Sequence, residues 1–211
     1  MKKIAKLENE NLNLNSFSKF TGMHCSDIMK ELSIDSGRAS KNFLRVFVDK
    51  LITESGANID NKEYIVKTIR MVQPHKTKES MSLRVVDYCS MVDQTWDISD
   101  FRKELSHTFV FFIFEGPASI DATVFKNVIT YNFTEEDLME AKKIWTDTIL
   151  KIRANDYSSF ISEKDTGTFF FKIHASTTSD VLPTPENGES VKRSFWIAKK
   201  FVNNRILIHM E

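Results

Sequence analysis

Cysteine is scarce in this 211-residue chain, which has only Cys25 and Cys89. Their spacing matches no zinc-ligand pattern and no paired redox motif, so both are expected as reduced thiols in a cytoplasmic protein. No apolar run approaches the ~20 residues of a membrane helix. The first residues carry no charged-then-apolar signal pattern, and a soluble intracellular chain with no membrane partner is expected. With six glycines in all, the chain has no glycine-rich phosphate loop, which argues against P-loop nucleotide chemistry. No internal repeat is present, which excludes a solenoid. Net charge is also missing, since 29 Lys and Arg balance 29 Asp and Glu.

The charges are nevertheless unevenly spread. Lys192, Arg193, Lys199, Lys200 and Arg205 follow one another with no acid among them, whereas Glu135, Glu136, Asp137, Glu140 and Asp147 crowd one predicted helix. Lys62, Lys67, Arg70, Lys76, Lys78 and Arg84 form a second cationic stretch. A neutral protein can present a phosphate-binding face in this way, although charge alone favours solvated surface lysines. The 41% apolar content and seventeen Phe residues suit one globular domain with a large core.

Residues 1–15 alternate Asn, Glu, Lys and Leu, a composition that cannot bury enough surface to fold alone and reads as a linker or tail. Residues 16–211 form the expected domain. Helices are predicted over 26–32 and 40–53, giving a helical N-terminal part, and strands over 63–72 and 83–88 flank a polar loop. Ser99 caps a short helix ending at 105. The run Thr108-Phe109-Val110-Phe111-Phe112-Ile113-Phe114 is apolar on both faces, as a central strand covered on two sides should be. A further strand is predicted over 122–132. Thr134 and Asp137 resemble a capping box that opens a helix to about 154. Strands over 169–174 and 194–198 enclose a loop containing Pro183 and Pro185, and a basic helix starts at Lys199. The pattern is mixed α/β, a sheet flanked by helices.

Metal-dependent phosphodiester cutting needs carboxylates to hold the ion and usually a lysine beside them. On a strand, a carboxylate and a lysine two positions apart share a face, so E-x-K is the compact solution. In Tyr64-Ile65-Val66-Lys67-Thr68-Ile69 that pair is Ile65 and Lys67, and isoleucine cannot ligate Mg²⁺. Glu63 shares the face two residues back and Asp60 precedes it. A displaced site of Asp60, Glu63 and Lys67 therefore stays open as a Mg²⁺-dependent nuclease reading, beside the plainer one in which Lys67 simply reaches solvent. His24 next to Cys25 suggests a ligand pair, but with no further ligands it reads as a helix residue, and no metal site is expected.

The order of several motifs resembles the MutH family of GATC-specific endonucleases, over a span from about Phe17 to the C-terminus. Ile65-Val66-Lys67-Thr68 resembles the family's E-L-K-T strand. Thr95-Trp96 with Arg102 resembles its T-W segment and downstream arginine, and the acidic helix around Trp145 follows in the same order. Lys172-Ile173-His174 resembles the R-P-(K/H) recognition loop, and Leu182-Pro183 the leucine-proline pair. Ser194-Phe195-Trp196-Ile197 leading into Lys199-Lys200-Phe201 resembles the aromatic strand and basic helix. Lys78-Glu79-Ser80-Met81-Ser82 and the Trp196 strand are similar to the second, non-cutting MutH-like copy of the staphylococcal-type GATC restriction enzymes.

The resemblance implies a restriction-endonuclease-like fold in a bacterial type II restriction enzyme. It also implies a domain that binds duplex GATC as an effector site, with a dimer on DNA among the assemblies it allows, while an N-terminal catalytic MutH-like domain of the same enzyme cuts. Both metal ligands are replaced, by Ile65 and by Asn58 seven residues earlier. Lys67 is then a remnant of cutting, with Mg²⁺ serving the parent enzyme and no cofactor needed for binding. The implied DNA-binding residues are Lys172, His174, Trp196, Lys192, Arg193, Lys199, Lys200 and Lys41. Lys172 offers one cationic point where arginine would make two parallel bonds to guanine. A third reading is a protein-interaction module whose basic end docks an acidic partner.

Overall fold

The structure, a computed structural model, describes residues 14–34, 43–57, 59, 63–117 and 119–210. Most of the expected tail, residues 1–13, lies outside these, as do Lys41, Asn58 and Asp60. In chain order, a 3₁₀ segment (Leu14–Phe20) precedes α1 (Cys25–Glu31), α2 (Phe43–Ser55), β1 (Tyr64–Gln73), β2 (Lys76–Thr77), β3 (Met81–Val85) and α3 (Tyr88–Met91). A 3₁₀ turn (Trp96–Ile98) leads to α4 (Asp100–Leu105), β4 (Thr108–Glu115), β5 (Val124–Tyr131), α5 (Glu135–Arg153) and β6 (Phe169–Ile173). The chain closes with β7 (Val181–Pro183), β8 (Glu189–Val191), β9 (Arg193–Ile197) and α6 (Lys199–Phe201), the last running on as helical turns through His209. The architecture is mixed α/β. Among the described residues no helix is long and apolar enough to cross a membrane.

Two compact units divide the chain. The first takes the described residues up to Val72 together with Phe109–Thr130, and within it β1, β4 and β5 lie side by side in that order. Every residue of β4 from Phe109 to Phe114 is buried, as expected for a strand covered on both faces. Val110, Phe112 and Phe114 point one way into a cluster with Phe17, Phe20, Ile28, Phe47 and Leu51 from the helical part. Phe17 meets Phe112 edge-on at 5.0 Å, and Phe47 meets Phe114 at 5.9 Å, the geometry that aromatic quadrupoles favour. The turn after β4 rests on Gly116. Its φ is +117°, and a Cβ there would stand 2.5 Å from the Ala122 carbonyl oxygen.

The second unit, Gln73–Thr108 with the chain from Tyr131 onward, is built on an antiparallel sheet of order β3-β9-β6. Its core is aromatic. Phe101 of α4 lies flat on Phe195 of β9 at 4.0 Å and edge-on to Phe169 of β6 at 5.9 Å. The capping box is present: Thr134 Oγ1 accepts from the Asp137 N–H, and Asp137 Oδ2 accepts from the Thr134 N–H at 2.9 Å. Asp137 is fully buried and serves two further donors. It accepts from Tyr131 OH at 2.8 Å and receives the Arg205 guanidinium, whose other arm reaches Glu140 at 3.2 Å. Burial, reinforced by this carboxylate, pushes the Tyr131 phenol up. Asn203 anchors β2 by accepting the Thr77 N–H at 2.8 Å and donating to the Thr77 carbonyl at 3.2 Å.

Two local expectations are corrected. The strand predicted to reach Tyr88 stops at Val85, because Asp87 accepts the N–H groups of Cys89 and Ser90 and starts α3. Tyr88 then turns inward and donates to the Val191 carbonyl at 2.6 Å. The predicted loop containing Pro183 and Pro185 holds the hairpin β7–β8. Pro183 is the last residue of β7, a position where a missing N–H is tolerated. Asn187 supplies the positive φ of the turn, and Thr184 Oγ1 accepts the Gly188 N–H.

Gly116→Ala should lower unfolding stability by about 1–3 kcal/mol through backbone strain and the close carbonyl, read by urea denaturation. Arg205→Ala should cost about 3 kcal/mol in the same assay, because it leaves the Asp137 carboxylate buried without its cation.

Candidate nucleic-acid interface

Strand alternation sorts β6 and β9 into two faces. In the antiparallel register Phe170 stands opposite Trp196 and Lys172 opposite Ser194, so these four share a face. The ladder continues one step further, since the His174 N–H donates to the Lys192 carbonyl at 2.8 Å. His174 and Lys192 therefore join the same face. The opposite parity, Phe169, Phe171, Phe195 and Ile197, is buried in the aromatic core.

The face that carries Lys172 and His174 has a defined chemistry, set over Phe170 and Ser194, which are themselves fully buried. The Trp196 indole lies 6.1 Å from the Phe170 ring at an interplanar angle of 24°. The Lys172 ammonium sits 5.3 Å from the indole centroid, a cation–π distance. The His174 ring centroid is 5.7 Å from that of Trp196, and its Nδ1 pairs with Ser194 Oγ at 2.9 Å. Lys172 and His174 are exposed and Trp196 is half-buried. Following His174, Ser176, Thr177, Thr178 and Ser179 are all exposed, giving a row of hydroxyls beside the cationic side chains. Ammonium, hydroxyl and imidazole groups around a half-buried indole suit anionic oxygens and the edges of bases.

Lys192 lies where two ladders meet. Its N–H donates to the Asp180 carbonyl at 3.0 Å, and its own carbonyl accepts from His174. Asp180 and Lys192 thus extend the β7–β8 pairing by one step, and their side chains form an ion pair. The hydrogen bond from Lys192 holds the Asp180 carboxyl below the usual carboxylate range, with the lysine charge and that of His174 adding to the effect.

Arg193 belongs to the other face, as its position opposite Ile173 requires. Its guanidinium donates to Ser190 Oγ at 2.9 Å, to the Val191 carbonyl at 3.2 Å and to the Tyr157 carbonyl at 2.9 Å, and it lies over the Phe160 ring at 5.1 Å. These bonds make it a clip inside the unit, away from the face to which sequence reasoning assigned it. Lys199 and Lys200 are exposed at the start of α6. The Lys199 N–H donates to Ser80 Oγ at 3.0 Å, and its ammonium is 3.9 Å from the Glu163 carboxylate. The Lys200 side chain crosses Gly167, where an added Cβ would lie 3.0 Å from its Cδ.

The suspected remnants of cutting belong to the first unit. Ile65 and Lys67 are half-buried on β1, and Glu63 is exposed just before it. The other proposed ligand positions, Asn58 and Asp60, lie outside the described residues, as does Lys41. Among the described residues no three His, Cys, Asp or Glu side chains are grouped to hold a metal ion. Cys25 is fully buried, which pushes its thiol up to about 12, while His24 is exposed at the α1 N-cap.

Sequence reasoning missed Asp180 and Phe170. The Phe170-x-Lys172-x-His174 alternation carried the signal for Phe170. Nothing marked Asp180, because its partner lies on the far side of a hairpin that two prolines disguised. No protein-family model matches the chain, and no curated protein matches it either.

A carboxyl whose folded pKa is lowered contributes stability above its unfolded pKa, about 3.9, and loses it as pH falls through the folded value. Asp180 should therefore titrate below the ordinary range in a carbon-detected NMR titration. Lys192→Gln should move it back toward that range.

Proposed function

We propose that this chain is a non-cutting, MutH-like DNA-binding domain of a type II restriction endonuclease with a restriction-endonuclease-like fold. It holds one GATC site in duplex DNA as an effector while a catalytic MutH-like domain of the same enzyme cuts another. The observation that carries this reading is the gathering of Lys172, His174, Ser194, Trp196 and Lys192 on one face of β6–β9, with the exposed Lys199 and Lys200 following β9. Base discrimination falls to Lys172 and His174, the exposed hydrogen-bonding groups on the strand that resembles the recognition loop. Lys192, Lys199 and Lys200 contact phosphates, which position the duplex without reading it.

Magnesium does not fit this chain's strand. Ile65 offers hydrocarbon where a ligand is needed, so Mg²⁺ belongs to the catalytic partner and no cutting step is assigned here. Lys67 is retained without its ligands.

Gel shifts with GATC and scrambled duplexes, with and without Mg²⁺, test the reading. Tighter binding to GATC is expected, falling steeply with salt as counterions are released. Lys172→Ala should cost about 1–3 kcal/mol on GATC and narrow the gap to the scrambled duplex. Equal wild-type binding to both duplexes overturns the specificity, and nicking of GATC plasmid by the pure chain with Mg²⁺ overturns the non-cutting assignment.

A further inference from the structure

The candidate face carries a carboxylate as well as its cations. Asp180 is paired with Lys192, and their side chains are 31% and 33% exposed, so the pair is partly shielded yet open to an incoming anion. The pairing is built into the backbone: the Lys192 N–H donates to the Asp180 carbonyl, while the Lys192 carbonyl holds the His174 N–H. Neither residue of the pair can drift from the face without breaking a ladder. The ammonium that the fold presents beside His174 is therefore already occupied by an oxyanion from the same chain. A similar but looser contact recurs at Lys199, 3.9 Å from Glu163.

The geometry points to Asp180 as a resident substitute for a DNA phosphate, one that sets the specificity of the face by holding Lys192 until a correctly placed phosphate replaces it. This rests on the DNA-binding reading above. A duplex lying in random register gains little by displacing Asp180, because one carboxylate–ammonium contact is exchanged for one phosphate–ammonium contact and a carboxylate is left facing the polyanion. A duplex fixed in register through Lys172 and His174 brings a phosphate to Lys192 at high effective concentration, so the exchange proceeds. The neutral net charge of the chain fits this arrangement, since it gives no general attraction to DNA that would mask the difference.

The experiment compares wild type, Asp180→Asn, Lys192→Gln and the double variant for binding to GATC and scrambled duplexes across a salt series. Asparagine keeps the size of Asp180 and leaves its backbone bond in place. Asp180→Asn should bind the scrambled duplex on the order of fivefold to tenfold more tightly at low salt, with a salt slope steeper by about one. The gain on GATC should be smaller. In the Lys192→Gln background the Asp180→Asn change should leave the salt slope unchanged and give a much smaller gain on either duplex, since only the repulsion of the carboxylate is relieved. The inference is overturned if wild type binds GATC but Asp180→Asn leaves scrambled binding and its slope unchanged. It is equally overturned if the full gain and its steeper slope persist in the Lys192→Gln background, which would mark a bulk charge effect. If wild type and Asp180→Asn alike bind no duplex at low salt, the DNA-binding reading itself fails and takes this inference with it.

Discussion

The second unit depends on one buried carboxylate. Asp137 closes the capping box at the start of α5, accepts the Tyr131 hydroxyl and holds the Arg205 guanidinium. A carboxylate with no solvent is costly unless its oxygens are saturated with donors and a cation stands beside it. Here both conditions are met by residues from two stretches of chain, Tyr131 and Thr134 just before Asp137 and Arg205 near the C-terminal turns. Satisfying Asp137 therefore ties the end of β5, the start of α5 and the C-terminal helical turns to one point. Arg205 also lies over Phe201 at 5.2 Å, so the same cation helps pack the helix that follows β9.

Because β9 leads directly into that helix, its register against β6 and β3 is anchored at both ends. The strand then acts as a partition. Phe195 and Ile197 face the aromatic core, while Ser194 and Trp196 lie on the other face, Ser194 fully buried and Trp196 half-buried. Side-chain alternation alone makes neighbours in sequence serve different purposes: Lys192 reaches that other face, while Arg193, one residue on, is spent inside the unit. A basic pair in a sequence is thus not a basic pair in space.

What could be read in advance were features set within a few residues. The doubly apolar β4, the Ser99 cap of α4, the Thr134–Asp137 capping box and the long α5 follow from hydrophobic period and local hydrogen bonding. The shared face of Lys172, His174 and Trp196 was also accessible, since period-2 spacing and antiparallel pairing fix it. Long-range partners were not. Nothing near Asp137 announces Arg205, and nothing near Asp180 announces Lys192, because each pair is made by chain segments that only the folded topology brings together. Asp87 misled for a different reason: a capping side chain overruled the β-branched run before it and turned Tyr88 inward.

The position of β9 also sets an order in time. Among the described residues it is the last strand, yet it is the middle strand of its sheet, between β3 and β6. Until residues 193–197 have left the ribosome, the backbone groups of β3 and β6 that face β9 have no ladder to join, and Phe101 has no Phe195 to lie against. Contacts this distant in sequence form slowly, so the nascent second unit waits with two open strand edges, whereas the strands and helices of the first unit are complete once β5 has emerged. During synthesis the period of greatest exposure to aggregation falls between β6 and β9, when Phe169, Phe170 and Phe171 have emerged without the strand that pairs with their edge.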